Sequence, residues 1–247
     1  MRTLTKAALP TALLTVALAA GPARAEARTH LSDAQVQAVV EHGLVDRDVP
    51  GVTVAVSGGN VTLTGMVPNA WSRNEAESIA LKSRDVKSVA NRLTVARGES
   101  DDATGREVAR QVRRYVLYSV FDDVSVGARD GRVTLTGEVT AGFKADDLAR
   151  IASKVRGVQE VRNEIKTLPG SPFDDRLRWA IASRLYGDPM FESYALQVPP
   201  PVHIVVENGR VTLTGAVGSE VERAKAALVA REVFGVMSVD NELKVAS

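Results

Sequence analysis

Residues 61–65 read Val-Thr-Leu-Thr-Gly, and the same five residues return at 133–137 and again at 211–215. The offsets between copies are 72 and 78 residues. One asparagine follows each copy at the same two offsets: Asn91, Asn163 and Asn241. Landmarks that share fixed offsets over this distance are typical of a chain built from copies of one supersecondary unit. The sequence therefore predicts three tandem repeats.

Each repeat is predicted to contain a helix, a β-hairpin, a second helix and a last strand. In Val-Thr-Leu-Thr-Gly the Val and Leu side chains point to one face of a strand and the Thr side chains to the other. A dipeptide suited to a two-residue hairpin turn precedes each copy: Gly58-Gly59, Asp130-Gly131 and Asn208-Gly209. The predicted fold class is α+β, with three tandem αββαβ units, each a three-stranded mixed sheet covered by two helices. We place the repeats at residues 26–97, 98–168 and 169–247.

The first helix of each repeat is expected to begin at a capping residue. Ser32 with Gln35 and Thr104 with Glu107 match the capping-box pattern, in which a hydroxyl and a carboxylate or amide bind the free N–H groups of the first turn. In the third repeat we expect Ser171 to cap the helix. The last strands are predicted at 89–95, 161–167 and 239–245.

The first 25 residues have the pattern of a secretory signal peptide. Arg2 and Lys6 precede an apolar run over residues 7–20, and Ala23-Arg24-Ala25 offers a cleavage site after Ala25. No other stretch is long enough to span a membrane. Removal of this segment takes away three basic residues and no acid, so 28 basic residues remain against 30 acidic ones and the net charge changes from +1 to −2. Binding to nucleic acid or to an anionic membrane would therefore need a local basic patch.

The repeat resembles the BON domain, which is named for bacterial osmotically inducible and nodulation proteins. In the second copy the resemblance rests on Asp130-Gly131, residues 133–137, Ile151-Ala152 and the run Gly157-Val158-x-x-Val161-x-Asn163. The third copy matches in the same way, whereas the first has Asp85 in place of the glycine and an altered turn. Members with a signal peptide and tandem units, the OsmY-like proteins, imply residence in the periplasm. They also imply roles in envelope integrity, osmotic stress, binding of phospholipid surfaces or chaperoning of exported proteins.

The residue types that carry catalysis are sparse in this chain. It has no cysteine and three histidines, His30, His42 and His203, at spacings that match no metal site. It has neither a serine-containing nucleophile elbow nor a phosphate-binding loop. We therefore expect a non-catalytic protein with no metal and no cofactor. An enzyme is less favoured than a lipid-binding protein or a chaperone-like binder of other proteins.

Two departures from the repeat are the candidate binding sites, and the first is the opening helix of the second copy. Four arginines, one apolar residue and one aromatic residue are expected together on the helix face opposite its buried side: Arg106, Arg110, Arg113, Arg114, Leu117 and Tyr118. Such a face suits an anionic phospholipid surface or an acidic envelope protein, and nucleic acid is not expected in a periplasmic compartment. The alternative interpretation is an ordinary solvated helix face.

The second departure is an insertion in the third copy, within residues 186–201. Four of its residues make it apolar for a connection: Met190, Phe191, Tyr194 and Leu196. One hypothesis is a docking surface for an unfolded client protein, an envelope partner or a membrane. The other is a loop that folds back over its own core. The favoured function is peripheral attachment to anionic phospholipid in envelope maintenance or osmotic stress, and the second is chaperone-like binding of exported proteins.

Overall fold

The computed structural model describes residues 30–246. The predicted signal peptide lies outside the described residues. Among the helices in residues 30–246, none combines the length and the apolar character needed to cross a membrane.

The described chain folds into three repeats of similar build. Repeat 1 contains α1 (Asp33–Asp46), β1 (Val52–Ser57), β2 (Asn60–Val67), α2 (Ala70–Lys82) and β3 (Ser88–Val95). Repeat 2 contains α3 (Asp101–Arg113), β4 (Asp123–Arg129), β5 (Arg132–Val139), α4 (Gly142–Ser153) and β6 (Glu160–Thr167). Repeat 3 contains α5 (Pro172–Tyr186), the one-turn α6 (Glu192–Ala195), β7 (Val202–Glu207), β8 (Arg210–Val217), α7 (Glu220–Arg231), β9 (Ser238–Asn241) and β10 (Lys244–Val245).

The Val-Thr-Leu-Thr-Gly strand is the middle strand of each sheet. β2 pairs antiparallel with β1 and parallel with β3, and β5 pairs in the same way with β4 and β6. In repeat 3 the last strand is divided, so that β9 and β10 both pair parallel with β8. The Val and Leu residues of the middle strands are buried against the helices in three separate cores. The α+β prediction, with its mixed sheets and two covering helices, is confirmed.

The glycine of the middle strand allows a backbone carbonyl to approach closely. Gly137 has φ 115°, and a Cβ atom there would lie 2.1 Å from the carbonyl oxygen of Asp123. The same contact occurs between Gly65 and Gly51 and between Gly215 and Pro201. No other residue can occupy this position without moving the backbone, because both the positive φ and the contact exclude a side chain.

An aspartate in the first turn of each repeat's first helix binds the hairpin turn. Asp101 accepts hydrogen bonds from the N–H groups of Asp130 (2.8 Å) and Gly131 (3.2 Å). Asp33 and Asp174 bind the equivalent turns in repeats 1 and 3 at 2.7–3.0 Å. The carboxylate thus fixes the start of the helix over the end of the hairpin.

The recurring asparagine ties the last strand to the second helix. Asn163 donates from Nδ2 to the Ala145 carbonyl (3.1 Å) and accepts at Oδ1 from the Ile165 N–H (3.3 Å). Asn91 and Asn241 make the equivalent pairs of bonds. Because both bonds depend on where the asparagine lies in the last strand, it recurs at the same offsets of 72 and 78 residues as the Val-Thr-Leu-Thr-Gly sequence.

One of the two predicted capping boxes is wrong. Ser32 and Gln35 form the predicted box. In repeat 2, however, Ser100 caps α3 by accepting from the Ala103 N–H, and Thr104 is buried one turn inside the helix. The earlier start places Asp101 in the first turn, within reach of the hairpin. α3 consequently ends at Arg113, and residues 114–122 leave the helix.

Repeats 1 and 2 meet through backbone hydrogen bonds. The Ala70 N–H, at the start of α2, donates to the Val158 carbonyl (2.7 Å), and the Gly157 N–H donates to the Pro68 carbonyl (2.9 Å). Three side chains flank this pair, and one of them, Arg73, donates to the Gln159 carbonyl (3.2 Å). Asn69 donates from Nδ2 to the Lys154 carbonyl (2.7 Å), and the Lys154 ammonium lies 4.7 Å from the centre of the Trp71 ring.

Repeats 2 and 3 meet in a different way, through residues 118–121. The Ile204 N–H on β7 donates to the Val120 carbonyl (2.7 Å). Phe121 is buried in the core of repeat 3, with its ring edge-on to Trp179 at 5.0 Å. A side chain of repeat 2 therefore completes the core of its neighbour.

Asp122 holds this connecting segment in place. It is fully buried and binds the Lys144 ammonium (2.7 Å), the N–H and hydroxyl of Ser119, and the N–H and hydroxyl of Thr140. Burial alone would raise the pKa of Asp122, but the bonds from Lys144, Thr140 and Ser119 outweigh it and lower the pKa below the ordinary aspartate value.

We predict that Asp101→Ala lowers the free energy of unfolding by about 2 kcal/mol, because two hydrogen bonds to a charged group are lost. Urea denaturation followed by circular dichroism measures this. Asp102→Ala is the matched control, since it removes a neighbouring carboxylate of the same helix turn that makes no bond to the hairpin. Equal midpoints for the two variants would contradict a stabilising role for the Asp101 contact.

We predict that Asp122→Asn destabilises the protein by about 3 kcal/mol at neutral pH, because Lys144 loses its partner in a buried site. Since the folded pKa of Asp122 is lowered, this contribution is present above the ordinary aspartate pKa and is lost as the pH falls through the folded pKa. The difference from wild type should stay constant from pH 8 to about pH 5 and shrink below about pH 4. Asp123→Asn is the control, and a difference between wild type and Asp122→Asn that grew on acidification would contradict the assignment.

Candidate functional site

The arginines predicted on the first helix of repeat 2 lie on an exposed surface. Val108 and Val112 bury the opposite face of α3 in the core of repeat 2. The side chains that remain outside include the four predicted arginines: Arg106, Arg110, Arg113 and Arg114. Arg106, Arg110 and Arg113 follow the i, i+4, i+7 spacing of one helix face. We call these four residues the arginine face.

Only one member of the arginine face has an acidic partner within the described chain. Glu107 forms an ion pair with Arg110, three positions along the helix. Arg106, Arg113 and Arg114 make no ion pair with any residue among 30–246. Three guanidinium groups are therefore available to an external anion, and each can donate in a planar, two-point geometry.

The predicted continuation of the arginine face along the helix is corrected by the structure. Because α3 ends at Arg113, Leu117 and Tyr118 belong to the turn that follows it. Leu117 is exposed, as is Val116, which is 88% exposed and had no role in the sequence interpretation. Tyr118 is half-buried: its hydroxyl accepts from the Val124 N–H (3.1 Å), and its ring packs edge-on against His203 at 5.6 Å. Tyr118 thus supports the junction between repeats 2 and 3.

A groove of mixed charge, which the sequence did not predict, adjoins the arginine face. A cavity of about 520 Å³ lies between α3 and the end of α4, lined by Glu107, Gln111, Ile151, Lys154, Val155 and Arg156. A neighbouring cavity of about 570 Å³ shares Glu107, Val155 and Arg156 and adds the charged side chains of Arg97 and Glu99. Glu107, which binds Arg110, lines both. In the sequence, Lys154 and Arg156 differ from the residues at the equivalent positions of repeat 3, Glu232 and Phe234. This difference in charge does not by itself predict a groove.

The insertion in repeat 3 folds back over its own core. Phe191 is fully buried among the core residues of repeat 3. The Tyr194 hydroxyl donates to Glu222 (2.8 Å) and accepts from the Gly218 N–H (2.7 Å). The hypothesis of a docking surface formed by all four predicted residues is therefore corrected for Phe191 and Tyr194, which hold the insertion against the repeat.

The tip of the insertion remains exposed. Leu196 is 82% exposed, Val198 is 98% exposed, and Met190 is partly exposed. These side chains form the part of the insertion that an external protein could contact. We call Met190, Leu196 and Val198 the insertion tip.

The buried titratable side chains of the described chain include His203, Asp122 and Asp174. His203 lies on β7 between repeats 2 and 3, its Nδ1 has no hydrogen-bond partner among the described residues, and burial lowers its pKa. Within residues 30–246, no cluster of three or more histidine or acidic side chains is arranged to hold a metal ion. The buried Asp122 and Asp174 bind backbone N–H groups of their own repeats.

Comparison with solved structures gives distant likenesses. The C-terminal domain of CdsD, a structural protein of the type III secretion system of Chlamydia trachomatis, is 17% identical with a TM-score of 0.25, over 88% of this chain and 100% of that one. The PrgH periplasmic domain is 11% identical with a TM-score of 0.22, over 79% of this chain and 95% of that one.

Two curated proteins are similar in sequence to about half of the chain. An uncharacterized protein in the gshII 5′ region of Anaplasma centrale is 30% identical over 51% of this chain and 85% of its own length. Osmotically-inducible protein Y of Escherichia coli (strain K12) is 30% identical over 49% of this chain. The match spans 61% of the Escherichia coli protein, which is less than two thirds of its length.

The model of the BON domain matches the chain three times. The matched residues are 32–97, 100–169 and 174–247, so each match covers one repeat of the structure. Together the matches include the three Val-Thr-Leu-Thr-Gly strands, the three hairpin turns and the three recurring asparagines. The chain belongs to the BON domain family, with three copies of the domain in tandem.

Proposed function

We propose that the protein is a non-catalytic periplasmic binding protein that attaches peripherally to anionic phospholipid in envelope maintenance or osmotic stress. The observation that carries the proposal is the arginine face, with three guanidinium groups that have no acidic partner in the described chain. The predicted signal peptide supports the periplasm, and the similarity to an osmotically inducible protein supports the stress role.

The arginine face is placed so that charge and apolar contact act together. Val116 and Leu117 are exposed directly after α3, beside Arg113 and Arg114. Arginines near an anionic surface each contribute about 1 kcal/mol at physiological salt. The three arginines without an acidic partner correspond to about 3 kcal/mol, which is a weak, reversible attachment with a Kd of several millimolar. Insertion of the two apolar side chains adds to this, and salt should weaken the charge contribution.

We predict that replacing Arg106, Arg113 and Arg114 together by Gln reduces binding to anionic vesicles at least about tenfold, because the three arginines without an acidic partner are removed. Cosedimentation with phosphatidylglycerol-containing vesicles measures the binding, and wild-type protein should bind neutral phosphatidylcholine vesicles weakly. Binding by the wild type should also fall as salt is raised.

The matched control replaces three exposed arginines on other elements, Arg92, Arg129 and Arg176, by Gln. This control has the same net charge as the test variant, so it separates a local patch from bulk charge. Equal losses in the two variants would contradict the arginine face, as would vesicle binding by the wild type that is insensitive to salt.

Chaperone-like binding of unfolded exported proteins is the second candidate function, and the insertion tip favours it. Leu196 and Val198 are almost fully exposed although the rest of the insertion is anchored by Phe191. Apolar side chains presented on a fixed support can contact unfolded chains without exposing the core. The tip and the arginine face belong to different repeats, so their effects can be separated.

We predict that Met190→Ser with Leu196→Ser reduces suppression of aggregation of a heat-denatured client protein, while binding to anionic vesicles stays within a factor of two of wild type. The double variant should remain folded, because Phe191 keeps the insertion in place. Val45→Ser, which changes an exposed apolar residue of α1, serves as the control. Equal suppression by wild type and the double variant would exclude the tip as a client-binding surface.

A further inference from the structure

The contact between repeats 1 and 2 uses two surfaces that also exist in the other repeats. We call residues 68–71, where α2 begins, the donor edge of repeat 1, and residues 156–159, which follow α4, the acceptor loop of repeat 2. Two backbone hydrogen bonds join them, between Ala70 and Val158 and between Gly157 and Pro68. By the repeat offsets, the donor edge of repeat 2 is residues 140–143 and the acceptor loop of repeat 3 is residues 234–237.

The donor edge of repeat 2 does not contact the acceptor loop of repeat 3 within the chain. Repeat 2 reaches repeat 3 through residues 118–121 instead. At its donor edge α4 begins at Gly142 without a side-chain cap, because Ala141 stands where repeat 1 has Asn69. Phe143, the counterpart of Trp71, is 55% exposed. This edge therefore offers an N–H group and an aromatic side chain that the described chain does not use.

The acceptor loop of repeat 3 is exposed and apolar. Phe234 is 99% exposed and Met237 is 78% exposed, where repeat 2 has Arg156 and Gln159. The Gly235 N–H and the Val236 carbonyl form no backbone hydrogen bond with another described residue, although their counterparts in repeat 2 both do. The loop keeps the fixed shape of its counterpart, because the Met237 N–H binds the Gly209 carbonyl (2.8 Å) as the Gln159 N–H binds that of Gly131 (2.8 Å).

One substitution between the repeats fits a pairing of these two surfaces. In the contact between repeats 1 and 2, the Asn69 side chain is needed to satisfy the Lys154 carbonyl. The corresponding carbonyl in repeat 3 is that of Glu232, and it already accepts a hydrogen bond from Arg184 (3.0 Å). The Glu232 carbonyl therefore has a donor without an asparagine from the partner, and the donor edge of repeat 2 has Ala141 at this position.

We propose that the donor edge of repeat 2 in one copy of the chain binds the acceptor loop of repeat 3 in a second copy. In this contact the Gly142 N–H donates to the Val236 carbonyl, and the Gly235 N–H donates to the Thr140 carbonyl. Phe143 takes the place of Trp71, whose ring lies over Lys154 in the contact between repeats 1 and 2, so it lies over the Glu232 position and beside the exposed Phe234. A second copy fits better than a lipid surface because the acceptor loop presents one backbone donor and one acceptor at the positions that a donor edge satisfies.

The two surfaces are different, so the contact is of the head-to-tail type. Such contacts either close into a ring of few copies or continue as an open chain, depending on the rotation between copies. With few residues in each surface, a single contact should be weak, and association should appear only as the protein concentration is raised.

Sedimentation equilibrium of the purified protein over a range of concentrations tests the proposal. We expect concentration-dependent self-association of the wild type, weakened at least about tenfold in Gly142→Pro and in Phe234→Asp, since each removes a central part of the contact. Gly142→Pro removes the donor N–H at the first position of a helix, where proline is favoured, and Ala141 before it is already extended. Val45→Asp, which adds a charge at an exposed apolar residue of repeat 1, should associate like the wild type.

Mixing the two variants provides the decisive measurement. Gly142→Pro retains an intact acceptor loop and Phe234→Asp retains an intact donor edge, so an equimolar mixture should form mixed dimers that neither variant forms alone. A misfolded variant would not complement the other, which separates loss of the contact from loss of the fold. A wild type that stays monomeric would overturn the proposal, as would a mixture that does not associate although both variants keep the circular dichroism spectrum of the wild type. If the wild type stays monomeric and Phe234→Asp instead loses vesicle binding, the exposed loop is a lipid contact.

Discussion

The close approach of a carbonyl to the glycine of the middle strand is the constraint on which each repeat depends. At Gly137 the Asp123 carbonyl occupies the space that a Cβ atom would need, so the antiparallel pairing of β4 with β5 can begin there. The Val and Leu residues of the middle strand then face the helices, and the Asp101 carboxylate holds the first helix over the hairpin turn. Because the same contact occurs three times, one local requirement determines the architecture of the whole described chain.

The fold could be predicted from sequence because its determinants are local and repeated. The hairpin dipeptides require positive φ, which Asp130 and Gly131 adopt, and the spacing of Val and Leu identifies the buried face. The start of α3 could not be predicted with the same success, because Ser100 and Thr104 both fit a cap and the choice depends on a hairpin 29 residues away. The arginines were predicted to be exposed from helical periodicity alone. The burial of Phe191 and the role of Tyr118 depend on contacts between distant segments, for which periodicity gives no information.

The candidate surfaces lie where the three copies differ, and this follows from the packing. The side chains shared by all copies bind the hairpin, tie the last strand or fill the core, and are thereby occupied within each repeat. Positions that differ are released from those tasks: the arginine face, the insertion tip and the loop around Phe234 are each found in one copy. A chain of internal copies can thus keep one fold while each copy acquires its own surface chemistry.

The position of Phe121 has a consequence for how such a chain can grow by gene duplication. Repeats 1 and 2 are in contact, but the core of each contains only side chains of that repeat. A further copy inserted between them would therefore leave both cores intact. Repeat 3 instead takes a side chain from the copy before it, and an inserted copy there would separate Phe121 from the site it fills. Repeats 2 and 3 should therefore be inherited and lost as a pair, whereas the number of copies ahead of them is free to vary.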